Sequence, residues 1–155
     1  MQYLLITTIH GQVVISGEEK AIEKVSEVLK ENGAKKIIFL NTNGPFHTIK
    51  LEKAKKEFEK ELEKIKIQKG TMKVLKNING LPYCESDNVK EVLARHMVNP
   101  IRFDKVVEYM KSENIDNFIE IGPGRTLTGF IKKEITDAKM FNINNVENLE
   151  KFLNN

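Results

Sequence analysis

Few residues in this sequence are suited to chemistry. The histidines are His10, His47 and His96, the single cysteine is Cys84, and the serines are Ser16, Ser26, Ser86 and Ser112. Of these, His47 has the most telling setting. It follows the apolar run Lys36-Ile37-Ile38-Phe39-Leu40, lies just past Gly44-Pro45, and immediately precedes a long stretch of helical periodicity. Strand-to-helix junctions of this kind are where α/β proteins build active sites. A histidine there can act as a general base, because an imidazole with an unperturbed pKa of ~6.5 is largely neutral near pH 7. The bland alternative for an isolated residue is a surface or capping histidine. None of the serines stands in the Gly-x-Ser-x-Gly setting that presents a nucleophile at a strand-to-helix elbow.

The remaining chemistry is sparse. One cysteine cannot close a disulfide within the chain, and three histidines without a spaced cysteine partner set give no structural zinc site. No metal or cofactor is expected. Gly122-Pro123-Gly124 opens a helix and could cradle a phosphate, but it is short and lacks the spacing of a nucleotide loop, so a structural turn is preferred. The 25 Lys and Arg against 22 Asp and Glu leave a net charge of +3, too little to argue for nucleic acid, and no basic-aromatic stacking motif is present. No stretch approaches the ~20 apolar residues of a membrane span, and Met1 to Ile9 lacks the basic start and cleavage site of a signal peptide. A cytoplasmic location with no membrane partner is the expectation.

The elements that must position His47 read as mixed strand and helix within 155 residues. Gln12 to Ile15 is a short β-branched run, and Ser16 with Glu19 forms a capping box opening a helix with Ala21, Ile22, Val25, Val28 and Leu29 inward. Asn32-Gly33 stops that helix, Lys36 to Leu40 reads as a buried strand, and Asn43-Gly44-Pro45 as a turn. From Ile49 to Ile65, apolar residues at Leu51, Ala54, Phe58, Leu62 and Ile65 give the clearest helix. A short strand around Met72 to Leu75 follows, then a turn-rich stretch, then a helix capped by Ser86-Asp87, carrying Val89, Val92 and Leu93 and ended by Asn99-Pro100. A helix with Phe103, Val106, Val107 and Met110 inward leads to the strand Asn117 to Ile121 and a helix from Arg125. Lys139 to Ile143 and a terminal helix from Val146 close the chain. This alternation predicts an α/β sheet covered by helices, with a soft boundary near Gly44.

Four motifs in consistent order extend the reading. They are Gln12-Val13-Val14-Ile15-Ser16-Gly17, Gly44-Pro45-Phe46-His47-Thr48, Asn99-Pro100-Ile101-Arg102-Phe103, and Ile119-Glu120-Ile121-Gly122-Pro123-Gly124-Arg125-Thr126-Leu127-Thr128-Gly129. Together they resemble malonyl-CoA:acyl-carrier-protein transacylase, an acyltransferase family of fatty-acid synthesis, from Gly11 to the C-terminus. The resemblance implies that 1–44 is part of a ferredoxin-like small subdomain and 45–155 the C-terminal part of an α/β-hydrolase-like acyltransferase domain. It implies malonyl-CoA as substrate, acyl carrier protein as partner, and His47 as the family's general base, which takes a serine proton for attack on the thioester and later activates the incoming thiol. The family orients its histidine with a backbone carbonyl three residues before the Asn/Ser-Pro pair, usually from Gln. That position here is His96, for which a plain helix-face histidine is the equal alternative.

What the resemblance lacks is equally specific. The serine elbow is absent, and none of Arg95, Arg102 and Arg125 occupies the motif that clamps the substrate carboxylate. The chain alone is therefore expected to be inactive in transacylation, its activity requiring a complementary upstream fragment, and to be prone to self-association through uncovered edges. A second reading is a non-catalytic carrier-binding or assembly module that docks through the lysines following His47, although the interleaved glutamates favour a plain solvated face. Where the family usually has Asn-Tyr-Asn-x-Pro-Gly before its strand, this chain has Leu4-Leu5-Ile6-Thr7-Thr8-Ile9-His10-Gly11. For one choice of synonymous codons, the shifted frame of this stretch reads Thr-Asn-Tyr-Asn-Tyr-Pro. A single inserted base is thus the preferred expectation over ordinary divergence, with Met1 an internal start and the serine and arginine encoded upstream.

Overall fold

A computed structural model describes residues 4–9, 11–40 and 44–154 of the protein. His10 and the turn residue Asn43 lie outside the described residues, as does the stretch adjoining the boundary expected near Gly44.

The chain opens with β1 (Leu4–Ile9) and β2 (Gln12–Ser16), an antiparallel hairpin whose register slips by one residue between Thr7 and Ile9. Gly11 turns between them at φ 76, a left-handed angle that glycine adopts without penalty. The strand at β1 has no counterpart in the sequence reading, although Ile6-Thr7-Thr8-Ile9 is β-branched throughout. Helix α1 (Glu19–Glu31) follows, with Glu18 rather than Ser16 at its N-cap, because Ser16 is still engaged in β2. Asn32 closes it, its side-chain amide donating to the Val28 carbonyl at 2.8 Å, and Gly33 turns the chain away at φ 91.

The next segment corrects the sequence reading. Lys36 to Leu40 forms no regular element and joins no strand among the described residues, and Ile38, Phe39 and Leu40 are 63%, 64% and 58% exposed. Apolarity made it resemble a buried strand, but a strand needs a neighbouring edge and the described chain supplies none. The expected strand at Met72 to Leu75 likewise reduces to one antiparallel bridge, Leu75 to Pro82.

The helix expected from Ile49 is present as a 3-10 turn, Ile49–Leu51, running into α2 (Glu52–Glu63). Helix α2 packs on α3 (Val89–His96), burying Leu62, Val92 and Ala94. Helix α4 (Phe103–Ser112), β3 (Asn117–Ile121), α5 (Thr126–Glu134) and β4 (Lys139–Ile143) then form the α/β unit, and α6 (Val146–Leu153) ends it. Strands β3 and β4 are parallel and in register from Asn117 opposite Lys139 to Ile121 opposite Ile143, as the crossover through α5 requires. Val107, Phe118 and Ile131 form the core between α4, β3 and α5, with Phe103, Met110, Ile135, Ala138 and Met140 packed around them. Phe152 of α6 meets Phe141 of β4 edge-on at 5.1 Å, which fixes the last helix to the sheet.

Candidate functional site

His47 sits in the short loop between Gly44 and α2, half-buried, with a left-handed backbone at φ 58. Such an angle costs a residue with a Cβ roughly 1–2 kcal/mol relative to glycine, so the surroundings must hold it there. Thr48 does much of this. It is buried, its hydroxyl donates to the Pro45 carbonyl at 2.7 Å and accepts from the Lys50 amide at 3.3 Å, and the Leu51 amide closes the 3-10 turn onto its carbonyl at 3.0 Å. The hydroxyl thus ties the loop before His47 to the turn after it.

The imidazole itself reaches across to α3. Its Nδ1 lies 2.8 Å from the backbone carbonyl oxygen of His96. A carbonyl can only accept, so Nδ1 carries the ring proton and donates, which leaves the Nε2 lone pair as the proton-accepting atom. The availability of that carbonyl has a local cause. In an α-helix the carbonyl of residue 96 accepts the amide of residue 100, and residue 100 here is Pro100, which has no N–H. The Asn99 side chain donates to the neighbouring Arg95 carbonyl at 2.8 Å, which also accepts the Val98 amide at 3.2 Å. Proline after the helix therefore releases the group that orients His47.

The ring of His96 is a separate matter. Its Nε2 is buried and has no hydrogen-bond partner among the described residues. Burial holds the His96 pKa below the usual histidine value, and the nearby His47 adds to the shift, so the neutral ring is favoured. The two sequence-predicted residues, His47 and His96, are thus brought together by ring nitrogen and backbone oxygen.

The connection carrying Pro100 is held by Arg102, a residue of the Asn99-Pro100 motif, and by groups that the sequence reading did not single out. The Arg102 amide donates to the Asn77 carbonyl at 2.7 Å, and Arg102 pairs side-on with Asp104, Nη2 to Oδ2 at 2.7 Å. Gly80, at φ 74, lies so close to α4 that a Cβ there would stand 2.4 Å from the Lys105 carbonyl carbon. Beneath this loop Lys76 is buried with its ammonium 2.7 Å from Asp87, whose other partner is the Cys84 amide at 2.8 Å. The Lys76 hydrogen bond, with that amide, holds Asp87 down at about 2. Asp87 was expected to cap α3; Asn88 does so instead, accepting from the Glu91 amide at 3.3 Å. A lysine four residues from a Gly-Leu-Pro turn gives no sequence signal of burial, whereas Thr48 beside a Gly-Pro turn is a recognisable local cap.

The other candidates resolve into structure. The glycine turn before α5 offers no open anion cradle, because Glu120 accepts from the Leu127 and Thr128 amides at 3.2 and 2.8 Å and from the Thr128 hydroxyl. That capping holds the Glu120 carboxyl below its ordinary value. On α2, Lys55 pairs with Glu52 and Glu59, Lys60 with Glu57, and Lys64 with Glu61, so positive charge is balanced within the helix. Among the described residues no group of His, Cys, Asp and Glu could hold a metal ion, and no helix is long and apolar enough to cross a membrane.

Comparison with known proteins gives this geometry its context. No family model matches the chain. The malonyl CoA-acyl carrier protein transacylase of Bacillus subtilis is 35% identical over 140 residues, 90% of this chain but 44% of that protein. The crystal structure of the Clostridium perfringens malonyl CoA-acyl carrier protein transacylase is 38% identical, with a TM-score of 0.88 over 99% of this chain and 48% of its own. A type II PKS acyl-carrier protein in complex with its malonyl-transacylase contains a chain 28% identical, with a TM-score of 0.90, matched over 99% of this chain and 50% of that one. The resemblance drawn from the four motifs and the α/β class are both borne out, and the chain spans about half the length of the proteins it matches.

Proposed function

We propose that this chain, which matches malonyl-CoA:acyl-carrier-protein transacylase by sequence and backbone over nine-tenths of its own length, supplies the proton acceptor of that family's acyl transfer. One observation carries the reading: the His47 Nδ1 to His96 carbonyl contact at 2.8 Å, which presents Nε2 as the free basic atom.

In the proposed reaction a serine from the part of the fold this chain does not span gives its hydroxyl proton to His47 Nε2. The serine oxygen then bonds to the malonyl carbonyl carbon of the thioester. Collapse of the tetrahedral adduct breaks the carbon–sulfur bond, and the coenzyme A sulfur leaves with the proton from the imidazolium. The second half repeats the exchange: the thiol of the carrier's phosphopantetheine gives His47 its proton, its sulfur bonds to the malonyl carbonyl carbon, and the carbon–oxygen bond to serine breaks as the serine oxygen takes the proton back from the imidazolium. His96 is a positioning residue through its backbone carbonyl. The carboxylate clamp and the oxyanion donors come from the same missing part, so the chain alone is inactive. We assign 1–44 to a partial small subdomain, 45–155 to the C-terminal part of the acyltransferase domain, and the protein to the cytoplasm. A purely carrier-binding role draws no support from α2, whose Lys55, Lys60 and Lys64 are paired within their own helix.

The test joins the unspanned part of the Bacillus subtilis relative covalently to the N-terminus of this chain and follows malonyl transfer from coenzyme A to carrier protein. The fusion is expected to transfer, this chain alone to show none, and His47→Ala in the fusion to abolish it. A folded fusion that transfers equally well with His47→Ala overturns the assignment. Malonylation of this chain alone by the thioester overturns the predicted inactivity.

A further inference from the structure

An ammonium taken out of water is tolerated only where a counter-charge and hydrogen bonds meet it in a fixed geometry, so a buried ion pair is directional in a way that apolar packing is not. Lys76 makes such a pair. Its side chain is 8% exposed, and its ammonium stands 2.7 Å from Asp87 Oδ2 and 5.6 Å from the centre of the Tyr83 ring. The backbone beneath it is held from both sides: the Lys76 amide donates to the Leu81 carbonyl at 2.8 Å, and the Lys76 carbonyl accepts the Gly80 amide at 2.8 Å. The next residue, Asn77, accepts the Arg102 amide on its carbonyl at 2.7 Å.

These contacts fall on opposite ends of one element. Asp87 lies just before α3, and Arg102 lies past Pro100, where the connection leaving α3 enters α4. Adjacent residues of one turn therefore grip α3 ahead of its start and beyond its end. Along its length α3 meets α2 through Leu62, Val92 and Ala94, apolar contacts that resist separation but are non-directional and specify axial position weakly. Lys90 adds a tie to the Glu63 carbonyl at 3.1 Å. Axial position is what the His47 contact needs, because a slide of one residue along a helix is about 1.5 Å, enough to break a hydrogen bond. We infer that Lys76 is a positioning residue for the base: paired with Asp87, it fixes α3 so that the His96 carbonyl meets His47 Nδ1, which keeps the ring proton on Nδ1 and the lone pair on Nε2. The inference rests on the role proposed for His47.

Which ring nitrogen of a neutral histidine carries the proton is set by the hydrogen bond that nitrogen makes, so the Nδ1–H form of His47 is the signature of the His96 contact. The test records long-range proton–nitrogen correlation spectra of the full chain, isotope-labelled at histidine, at a pH well above the ordinary histidine value of ~6.5, with His47→Ala assigning the His47 signals. In the wild type the Nδ1–H form is expected to dominate. The double variant Lys76→Met with Asp87→Leu replaces the pair by apolar side chains of similar volume, a change that cores accept, and Asp87→Asn removes the charge while keeping an oxygen for the Cys84 amide. In both, the Nδ1–H form should fall to the minor one. Ile131→Ala, which opens the core between α4, β3 and α5 instead, should lower the urea midpoint and leave the tautomer as in the wild type. Either pair variant, folded by circular dichroism and still in the wild-type tautomer, overturns the inference and leaves the proposed function standing. Loss of the Nδ1–H form in Ile131→Ala also overturns it, since the signal would then follow stability rather than the pair. A wild type already in the Nε2–H form overturns both.

Discussion

The left-handed backbone at His47 can be weighed by comparing two substitutions. His47→Ala and His47→Gly both remove the imidazole and its bond to the His96 carbonyl, so the difference between them isolates the backbone term. Alanine at φ 58 retains a Cβ clash of roughly 1–2 kcal/mol that glycine does not have. Glycine loses about 0.4–1 kcal/mol through the greater entropy of its unfolded chain. The net expectation is that His47→Gly is more stable than His47→Ala by about 1 kcal/mol. With a urea slope of about 2 kcal/mol per molar, that places its midpoint about 0.5 M higher. Urea unfolding followed by far-UV circular dichroism reads this directly, provided both variants give the same slope. A midpoint for His47→Gly equal to or below that of His47→Ala would show that the angle carries no strain, and would remove the argument that the surroundings force the histidine into place.

Three further outcomes follow from the same geometry. Thr48→Val keeps the side-chain volume but loses the cap on the Lys50 amide and the donation to Pro45, and should lower stability by about 1–2 kcal/mol in urea. In the active fusion it should also reduce kcat more than it raises KM, because the base is displaced while substrate contacts are not. Gly80→Ala places a Cβ against the Lys105 backbone at an angle of φ 74 and should cost about 2–4 kcal/mol, seen as a fall in Tm; a change within 1 °C would refute the packing. Asp87 is held at about 2 in the fold against 3.8 ordinarily, so its ion pair stabilises the protein above pH ~4 and that contribution is lost as the pH falls toward 2. The urea midpoints of wild type and Asp87→Asn should therefore differ at pH 6 and converge near pH 2; a constant gap would show that the pair with Lys76 is not responsible.

The local signals in the sequence carried well. Apolar periodicity placed α2 and α4, the turn Gly122-Pro123-Gly124 marked the start of α5, Asn99-Pro100 marked the end of α3, and the setting of His47 past Gly44-Pro45 pointed to a histidine whose ring engages a backbone carbonyl. What escaped was everything that depends on a partner distant in sequence. Ile37 to Leu40 has the composition of a strand, but composition says nothing of whether an edge is available to pair with it. The burial of Lys76 depends on Asp87 and on the loop that Gly80 presses against α4, a tertiary circumstance invisible in a lysine-rich sequence. Ser16 and Asp87 were plausible caps by type, and each was claimed by a competing contact, one by a strand and the other by a lysine.

The release of the His96 carbonyl by Pro100 bears on how such sites are recognised in other sequences. Since the orienting atom belongs to the main chain, the side chain at position 96 is under no chemical obligation and can drift, here to a histidine with an idle ring nitrogen. The obligation falls four residues later, on an imino acid whose part is to lack an N–H. Searches keyed to the residue that touches the histidine will overlook diverged relatives, whereas a proline at that fixed offset past a helix should still identify them.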